Sequence, residues 1–128
     1  MIIKGKVIKG DQRGRKQGFP TANLNRNLAA KKISKGVYAC LINIKSKWSE
    51  GILIYGAPDK NNGSKLEVFF LNFRRNIYRQ TISVNIIKKI RPLVNFRSKE
   101  QFLKQAKKDV KKARKILKPL KNSGLLLK

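Results

Sequence analysis

The sequence predicts a mainly β protein, a small closed antiparallel β-barrel with one α-helix packed at its C-terminal end. Three observations lead to this fold class. Several short apolar segments are separated by glycine-containing turns, as is typical of barrel strands. The hydrophobic period changes once, after residue 98, to the three- and four-residue spacing of an amphipathic helix. The length of 128 residues suits one domain with a single core.

The apolar segments define the expected strands. Apolar segments predict strands at residues 2–8, 37–44, 51–55, 66–73 and 81–90, the last of them with the alternation of a half-buried strand. Residues 24–35 are polar and irregular, and the stretch around Trp48 and Glu50 is expected to be a loop with Trp48 partly exposed. Asn62-Gly63 is the strongest turn dipeptide.

The helix has a clear start signal. Ser98 and Gln101 fit a capping box, with serine at the N-cap and glutamine three residues later. We expect the helix to end before Pro119, because proline lacks the amide hydrogen of a helical residue. The sequence therefore divides into a barrel with its helix at residues 1–118 and a basic tail at residues 119–128.

The charge balance is extreme, with 32 Lys and Arg against 6 Asp and Glu, a net charge of +26 and no histidine. This balance favours an anionic partner, and it allows non-specific contact with nucleic acid as well as attraction of ATP. Lysines spread over the whole chain are equally consistent with a lysine-rich composition that has no partner of its own. The single cysteine, Cys40, excludes an intramolecular disulfide and is expected to be a buried thiol. No apolar run approaches the roughly 20 residues of a membrane span, so we expect a cytoplasmic protein that does not bind a membrane. We also expect a monomer.

A glycine- and arginine-rich segment between the first two strands carries the strongest functional signal. Glycines let the backbone approach a ligand, and clustered amides and arginines bind anionic oxygens. Threonine and asparagine oxygens are ligands of the kind that complete a Mg²⁺ shell beside phosphates. The segment is therefore predicted to bind nucleotide phosphates through Gly10, Arg13, Gly14, Arg15, Gly18, Pro20, Thr21 and Asn23, with Thr21 and Asn23 also at the metal. A tight hairpin, a local side-chain turn and solvated arginines are the structural alternatives.

One carboxylate is a candidate for chemistry. Glu67 alone lies inside an apolar strand, whereas Glu100 and Asp109 lie among helix lysines and are expected to form solvated ion pairs. Asp59 falls in a turn. A strand glutamate can also point outward to water, and that alternative stays open on the residues alone.

These motifs resemble those of riboflavin kinases of the bacterial and eukaryotic type. The resemblance rests on the segment from Gly10 to Asn23, which ends in Gly-Phe-Pro-Thr-Ala-Asn, and on the strand Leu66-Glu67-Val68 with Phe73 and Tyr78 after it. Weaker matches are Gly36-Val37-Tyr38-Ala39, Ile90-Arg91-Pro92 and the stretch from Asp109 to Arg114. The likeness runs from about residue 5 to residue 117.

The resemblance implies a Greek-key barrel that transfers the γ-phosphoryl group of ATP to riboflavin with Mg²⁺, giving FMN and ADP. It implies that Glu67 is the catalytic carboxylate and that Arg91 and Tyr78 lie at the flavin. The sequence departs from the family pattern at Arg79, where glycine is usual, at Asn72 and Asn76, where aspartates are usual, and after Gly56. The length leaves no room for the adenylyltransferase domain of many bacterial relatives. The chain is therefore expected to be either a single-function enzyme or a domain of a longer protein, and FAD synthesis is not expected.

Two other functions remain open at this stage. A basic β-barrel that binds RNA or ribosomes would explain the charge, although no aromatic–basic RNA motif stands out. A kinase-like barrel without activity would bind only flavin or nucleotide. Loss of activity on replacement of Glu67 separates an enzyme from the inactive barrel, and a steep salt dependence of nucleic-acid affinity marks the RNA-binding class.

Overall fold

The computed structural model describes residues 2–8, 21–24, 33–58, 64–71 and 80–122; at residues 8, 21–23, 57, 58, 121 and 122 only the backbone is considered. These residues form strands β1 (Ile2–Ile8), β2 (Thr21–Leu24), β3 (Gly36–Ile44), β4 (Lys47–Pro58), β5 (Ser64–Phe70) and β6 (Thr81–Arg91), followed by helix α1 (Lys99–Asn122). The predicted mainly β fold with a C-terminal helix is confirmed.

The strands close into one antiparallel barrel. Their order is β1-β2-β5-β4-β3-β6, and β6 pairs back to β1. Strands β3, β4 and β5 pair in succession, and β6 then returns to lie beside β3. Three hairpin-connected strands with a fourth beside the first make a Greek key. The closed Greek-key barrel is therefore confirmed.

The barrel buries side chains on two sides. Alternate residues point into the barrel and form its interior core, which includes Ile3, Cys40, Leu53 and Val68. Helix α1 covers the other face of β3 and β4. A second cluster of buried side chains lies there, which we call the outer cluster, and it consists of Val37, Ala39, Leu41, Ile52, Ala113 and Leu117. Because β3 lies between these two cores, nearly all of its residues are buried. Cys40 is fully buried in the interior core, which confirms the expected buried thiol, and this burial raises the pKa of the thiol well above its ordinary value.

The β3–β4 hairpin turns on two residues with positive φ. Lys45 has φ 48° and Ser46 has φ 68°. Both angles suit the type I′ turn, which matches the twist of the flanking strands and favours glycine in its second position. The Ser46 amide donates a hydrogen bond to Asn43 Oδ1 at 3.1 Å. The turn is well formed but carries left-handed strain at two side-chain-bearing residues.

Relief of this strain is the first testable prediction. Ser46→Gly is expected to raise the free energy of unfolding by about 1 kcal/mol, because glycine adopts positive φ without a steric cost. Urea unfolding measures the change. Ser49→Gly, inside β4, is the matched control and is expected to lower stability by about 0.5–1 kcal/mol. Equal destabilisation by both substitutions would contradict the turn assignment.

The helix begins as predicted and ends later. Ser98 Oγ accepts a hydrogen bond from the Gln101 amide, and Gln101 Oε1 accepts one from the Arg97 amide, both at 3.1 Å. The predicted end before Pro119 is wrong, because α1 continues through Pro119 to Asn122. Proline removes one hydrogen bond in the last turn, and the packing of Leu120 against the outer cluster holds that turn in place. Residues 123–128 of the predicted tail lie outside the described residues.

Two strand assignments also need correction. Strand β4 begins at Lys47 rather than at residue 51, so half-buried Trp48 and buried Glu50 lie in a strand and not in a loop. Strand β2 was not expected at all, and it exists because β1 and β5 supply partners on both of its sides. The described part of β5 ends at Phe70, and the predicted Asn62-Gly63 turn lies outside the described residues. Within the described part of the chain, no helix has the length and apolar character needed to cross a membrane.

Candidate active site

Glu67 lies near the middle of β5 on the face that points away from the barrel interior. Its neighbours Leu66 and Val68 belong to the interior core, whereas Phe69 packs in the outer cluster. Alternation along the strand therefore places Glu67 on the outer side. Even so, Glu67 is only 8% exposed. Glu67 therefore points outward, as one of the two alternatives from the sequence predicted. It is nevertheless shielded from solvent and does not face open water.

Strand pairing brings the predicted metal and phosphate positions next to this glutamate. Strand β5 lies between β2 and β4, and Glu67 is the register partner of Asn23 on one side and Ile54 on the other. Thr21 is the register partner of Phe69. Directly opposed residues of an antiparallel pair have Cβ atoms about 5 Å apart. Thr21 and Asn23 lie 46 and 44 residues before Glu67 in the sequence, and only the pairing of β2 with β5 in the barrel makes these positions neighbours.

An apolar pocket lies on the same outer face, between β4, β5 and the helix, and its space, including the part open to solvent, is about 390 Å³. Among the described residues that line it, Arg91 and Asp109 are the charged ones. Ile54 lines the pocket and is also the cross-strand partner of Glu67, so the pocket borders the strand position of the glutamate. The apolar lining consists of Ile52, Ile54, Phe69, Leu71, Phe102, Ala106 and Val110. An apolar lining with a few polar groups is typical of small-molecule sites.

A buried ion pair closes one side of the pocket. Arg91 Nε donates to both carboxylate oxygens of Asp109 at 3.0 and 3.1 Å, and Arg91 Nη2 donates to Oδ2 at 2.9 Å. The two side chains are 15% and 6% exposed. Gln105 Nε2 donates a further bond to Asp109 Oδ1 at 3.0 Å. The pair joins the end of β6 to the middle of α1.

Arg91 makes two further contacts that fix its guanidinium group. Nη1 donates to the Pro92 carbonyl at 3.1 Å, and the guanidinium carbon lies 5.6 Å from the centre of the Phe96 ring. Phe96 in turn meets Phe102 edge to face, with ring centroids 5.5 Å apart. These contacts hold the segment between β6 and α1 against the pocket wall.

The role expected for Asp109 from sequence is wrong. Asp109 is 4% exposed and bonded to Arg91, not solvated among lysines. The sequence contained a signal for this, because Asp109 shares the three- and four-residue spacing of Phe102, Ala106 and Ala113 and so lies on the apolar face of the helix. Glu100 does form the expected exposed ion pair, with Lys104 at 3.5 Å. Of the pocket-lining residues only Arg91 was predicted, since strands β4, β5 and β6 and helix α1 supply the lining together.

Most of the predicted phosphate-binding segment lies outside the described residues, as does Tyr78. This applies to Gly10, Arg13, Gly14, Arg15, Gly18 and Pro20. In the described ranges, no group of three or more His, Cys, Asp and Glu residues could hold a metal ion. A Mg²⁺ ion bound chiefly by substrate phosphates needs only one or two protein oxygens. The metal role of Thr21 and Asn23 stays a prediction, because only their backbone is considered.

The fold and the site define a class of protein, a helix-covered Greek-key barrel with an apolar pocket beside a buried carboxylate. A family model described as "Flavokinase: Riboflavin kinase" matches residues 1–117. The chain therefore belongs to the riboflavin kinase family.

Known proteins agree with this assignment. The chain is 37% identical to the RNA-binding riboflavin kinase RibR of Bacillus subtilis, over 98% of this chain and 57% of that protein. It is 38% identical to the bifunctional riboflavin kinase/FMN adenylyltransferase of Haemophilus influenzae, over 88% of this chain and 37% of that protein. The chain thus spans 57% or less of the length of these two relatives. The riboflavin kinase of Trypanosoma brucei shares the fold, with a TM-score of 0.66 at 20% identity over 91% of this chain and 79% of that one.

Proposed function

We propose that this chain is a riboflavin kinase that transfers the γ-phosphoryl group of ATP to the ribityl 5′-hydroxyl of riboflavin, giving FMN and ADP. The observation that carries the proposal is the position of Glu67, a buried carboxylate between the Asn23 position and the wall of an apolar pocket. Membership of the riboflavin kinase family supports the same reaction.

The pocket and the glutamate divide the work on the acceptor. The apolar walls bind the flat isoalloxazine ring, and the polar ribityl chain extends toward β5. Glu67 accepts the proton of the terminal hydroxyl as its oxygen attacks the γ-phosphorus, and the bond from that phosphorus to the bridging oxygen of ADP breaks. Phosphoryl transfer depends mainly on such positioning and on charge stabilisation. The chemistry therefore needs few catalytic side chains, in line with the six acidic residues of the chain.

The opposite side of Glu67 is assigned to the nucleotide. Backbone amides and arginines of the segment from Gly10 to Asn23 bind the ATP phosphates in this proposal. Thr21 and Asn23 would hold Mg²⁺ together with those phosphates, and the bound ion would neutralise charge on the transferred group. The register of β2 against β5 supports this division, because it puts both positions beside the strand of the candidate base.

Arg91 retains donors for the flavin. A guanidinium group has five N–H bonds, and the contacts to Asp109 and the Pro92 carbonyl use Nε and one hydrogen each of Nη1 and Nη2. Two donors remain at the pocket edge, held in place by the ion pair. We assign them to polar atoms of the flavin ring, with Tyr78 as a further flavin contact.

Filling the pocket tests the flavin site. Ala106 lines the pocket from α1, and Ala106→Leu adds three carbon atoms to its space. We expect the KM for riboflavin to rise at least tenfold with a smaller change in kcat, in line with the effect of one misfitting side chain in an apolar pocket, about 1–3 kcal/mol. The rate of FMN formation at varied riboflavin concentration gives KM and kcat, and riboflavin fluorescence titration gives the binding affinity.

Lys107→Leu is the matched control, because it puts the same side chain one residue further on the exposed face of the helix. It is expected to leave riboflavin affinity unchanged. Unaltered affinity in Ala106→Leu, with the protein still folded, would place the flavin elsewhere and overturn the pocket assignment.

A further inference from the structure

Positive charge is concentrated on the helix. Ten of the 24 residues of α1 are Lys or Arg, against 22 of the other 104 residues of the chain. The density of positive charge on α1 is therefore about twice that of the rest, and a uniformly lysine-rich composition does not explain the difference.

Seven of the helix lysines form what we call the basic stripe. At 100° per residue, an angle that follows from 3.6 residues per turn, they fall within an arc of about 140° on one side of α1. All seven are exposed. The face directly opposite holds Ala113 and Leu117, both 0% exposed against the barrel. The basic stripe consists of Lys104, Lys107, Lys108, Lys111, Lys112, Lys115 and Lys118.

The described acidic residues do little to neutralise this stripe. Glu100 lies 3.5 Å from Lys104 in an exposed pair, and Asp109 is bound by Arg91 on the other side of the helix. The remaining six stripe lysines contact no described carboxylate. Each pair of like charges three or four residues apart destabilises a helix by about 0.2–0.5 kcal/mol. The stripe thus carries a repeated electrostatic cost that an anionic polymer would relieve.

We propose that the basic stripe is a binding surface for the phosphate backbone of a polynucleotide, separate from the kinase site. From Lys104 to Lys118 the lysines extend over about 21 Å of helix axis at 1.5 Å per residue, long enough to contact several successive phosphates. A membrane surface fits less well, because a helix that binds at the lipid interface inserts an apolar face. The apolar face of α1 is already buried on the barrel. Contacts of this type read charge and not base sequence.

The test is fluorescence anisotropy of a labelled 20-nucleotide single-stranded RNA of mixed sequence, titrated with the purified chain at several salt concentrations. Each phosphate contact with a single strand contributes about −0.7 to the slope of log K against log salt. For Lys108→Gln/Lys111→Gln/Lys115→Gln we expect the slope to become shallower by about 2, and the affinity at low salt to fall at least tenfold. The control variant is Lys47→Gln/Lys88→Gln/Lys99→Gln, which removes the same charge from exposed positions outside the stripe.

Each outcome of this experiment either supports or overturns the basic stripe as a binding site. A shallower slope in the stripe variant alone supports the proposal, provided that thermal melting shows all proteins folded. Equal weakening by both variants would show a response to net charge and overturn the stripe as a site. Absence of salt-dependent RNA binding by the native chain, or preferential binding to vesicles containing phosphatidylserine, would also overturn it. None of these results bears on riboflavin phosphorylation, which is measured independently.

Discussion

Glu67→Gln is expected to lower kcat for FMN formation at least 100-fold. Glutamine has nearly the same shape as glutamate, but its amide cannot accept the hydroxyl proton. General-base catalysis contributes about 10²–10⁴ in rate. The riboflavin KM is expected to change much less, since in the proposed complex the apolar walls of the pocket, and not Glu67, contact the flavin ring. Steady-state kinetics with purified variant and native chain measure both constants.

Glu50→Gln provides a closely matched control. Glu50 and Glu67 are both 8% exposed and lie on neighbouring strands. Glu50 is the register partner of Leu41 on β3, away from β2 and the predicted phosphate-binding positions. We expect its replacement to leave kcat within about threefold of native, an effect below the range of general-base catalysis. A similar loss of activity in both variants would indicate a general effect of buried carboxylates and remove Glu67 from its catalytic role.

The second large effect is expected at the Arg91–Asp109 ion pair. Asp109→Ala leaves the guanidinium of Arg91, whose side chain is 15% exposed, without its bidentate partner. Removing one member of a buried pair costs about 3–5 kcal/mol. We expect a loss of about 3 kcal/mol in the free energy of unfolding, together with a raised riboflavin KM because the pocket wall loses its anchor. Chemical denaturation and riboflavin titration measure these effects.

Two further variants distinguish the pair from charge loss in general. Glu100→Ala removes an exposed carboxylate from the same helix and is expected to cost less than about 0.5 kcal/mol. Arg91→Met/Asp109→Leu removes both charges and is expected to regain most of the stability lost in Asp109→Ala, because no buried charge is left unpaired. The double variant is expected to bind riboflavin more weakly than the native chain does, because it lacks the Arg91 donors. Native-like stability of Asp109→Ala would contradict the pair as an anchor of the helix.

The sequence predicts those parts of the fold that depend on local pattern. Strands β1, β3, β5 and β6 and the start of α1 follow from alternation and capping within each segment. Strand β2 escaped prediction because four residues carry little periodic signal, and its strand state depends on pairing with β1 and β5. The extension of α1 past Pro119 depends likewise on packing, here of Leu120 against the barrel.

The same distinction applies to the site. Glu67 could be singled out from sequence because a carboxylate inside an apolar strand is unusual. The Arg91–Asp109 pair and the pocket could not, because their residues come from strands and a helix that only the closed barrel brings together. For Asp109, the spacing with apolar helix residues indicates a buried position, but the sequence does not indicate that Arg91 is its partner.

The most direct measurement is FMN formation from riboflavin, ATP and Mg²⁺ by the purified native chain, followed by separation of the two flavins. We expect stoichiometric FMN and ADP, and no FMN when ATP or Mg²⁺ is omitted. A folded chain, freed of bound nucleic acid, that binds riboflavin but forms no FMN would contradict the kinase and leave a flavin-binding barrel.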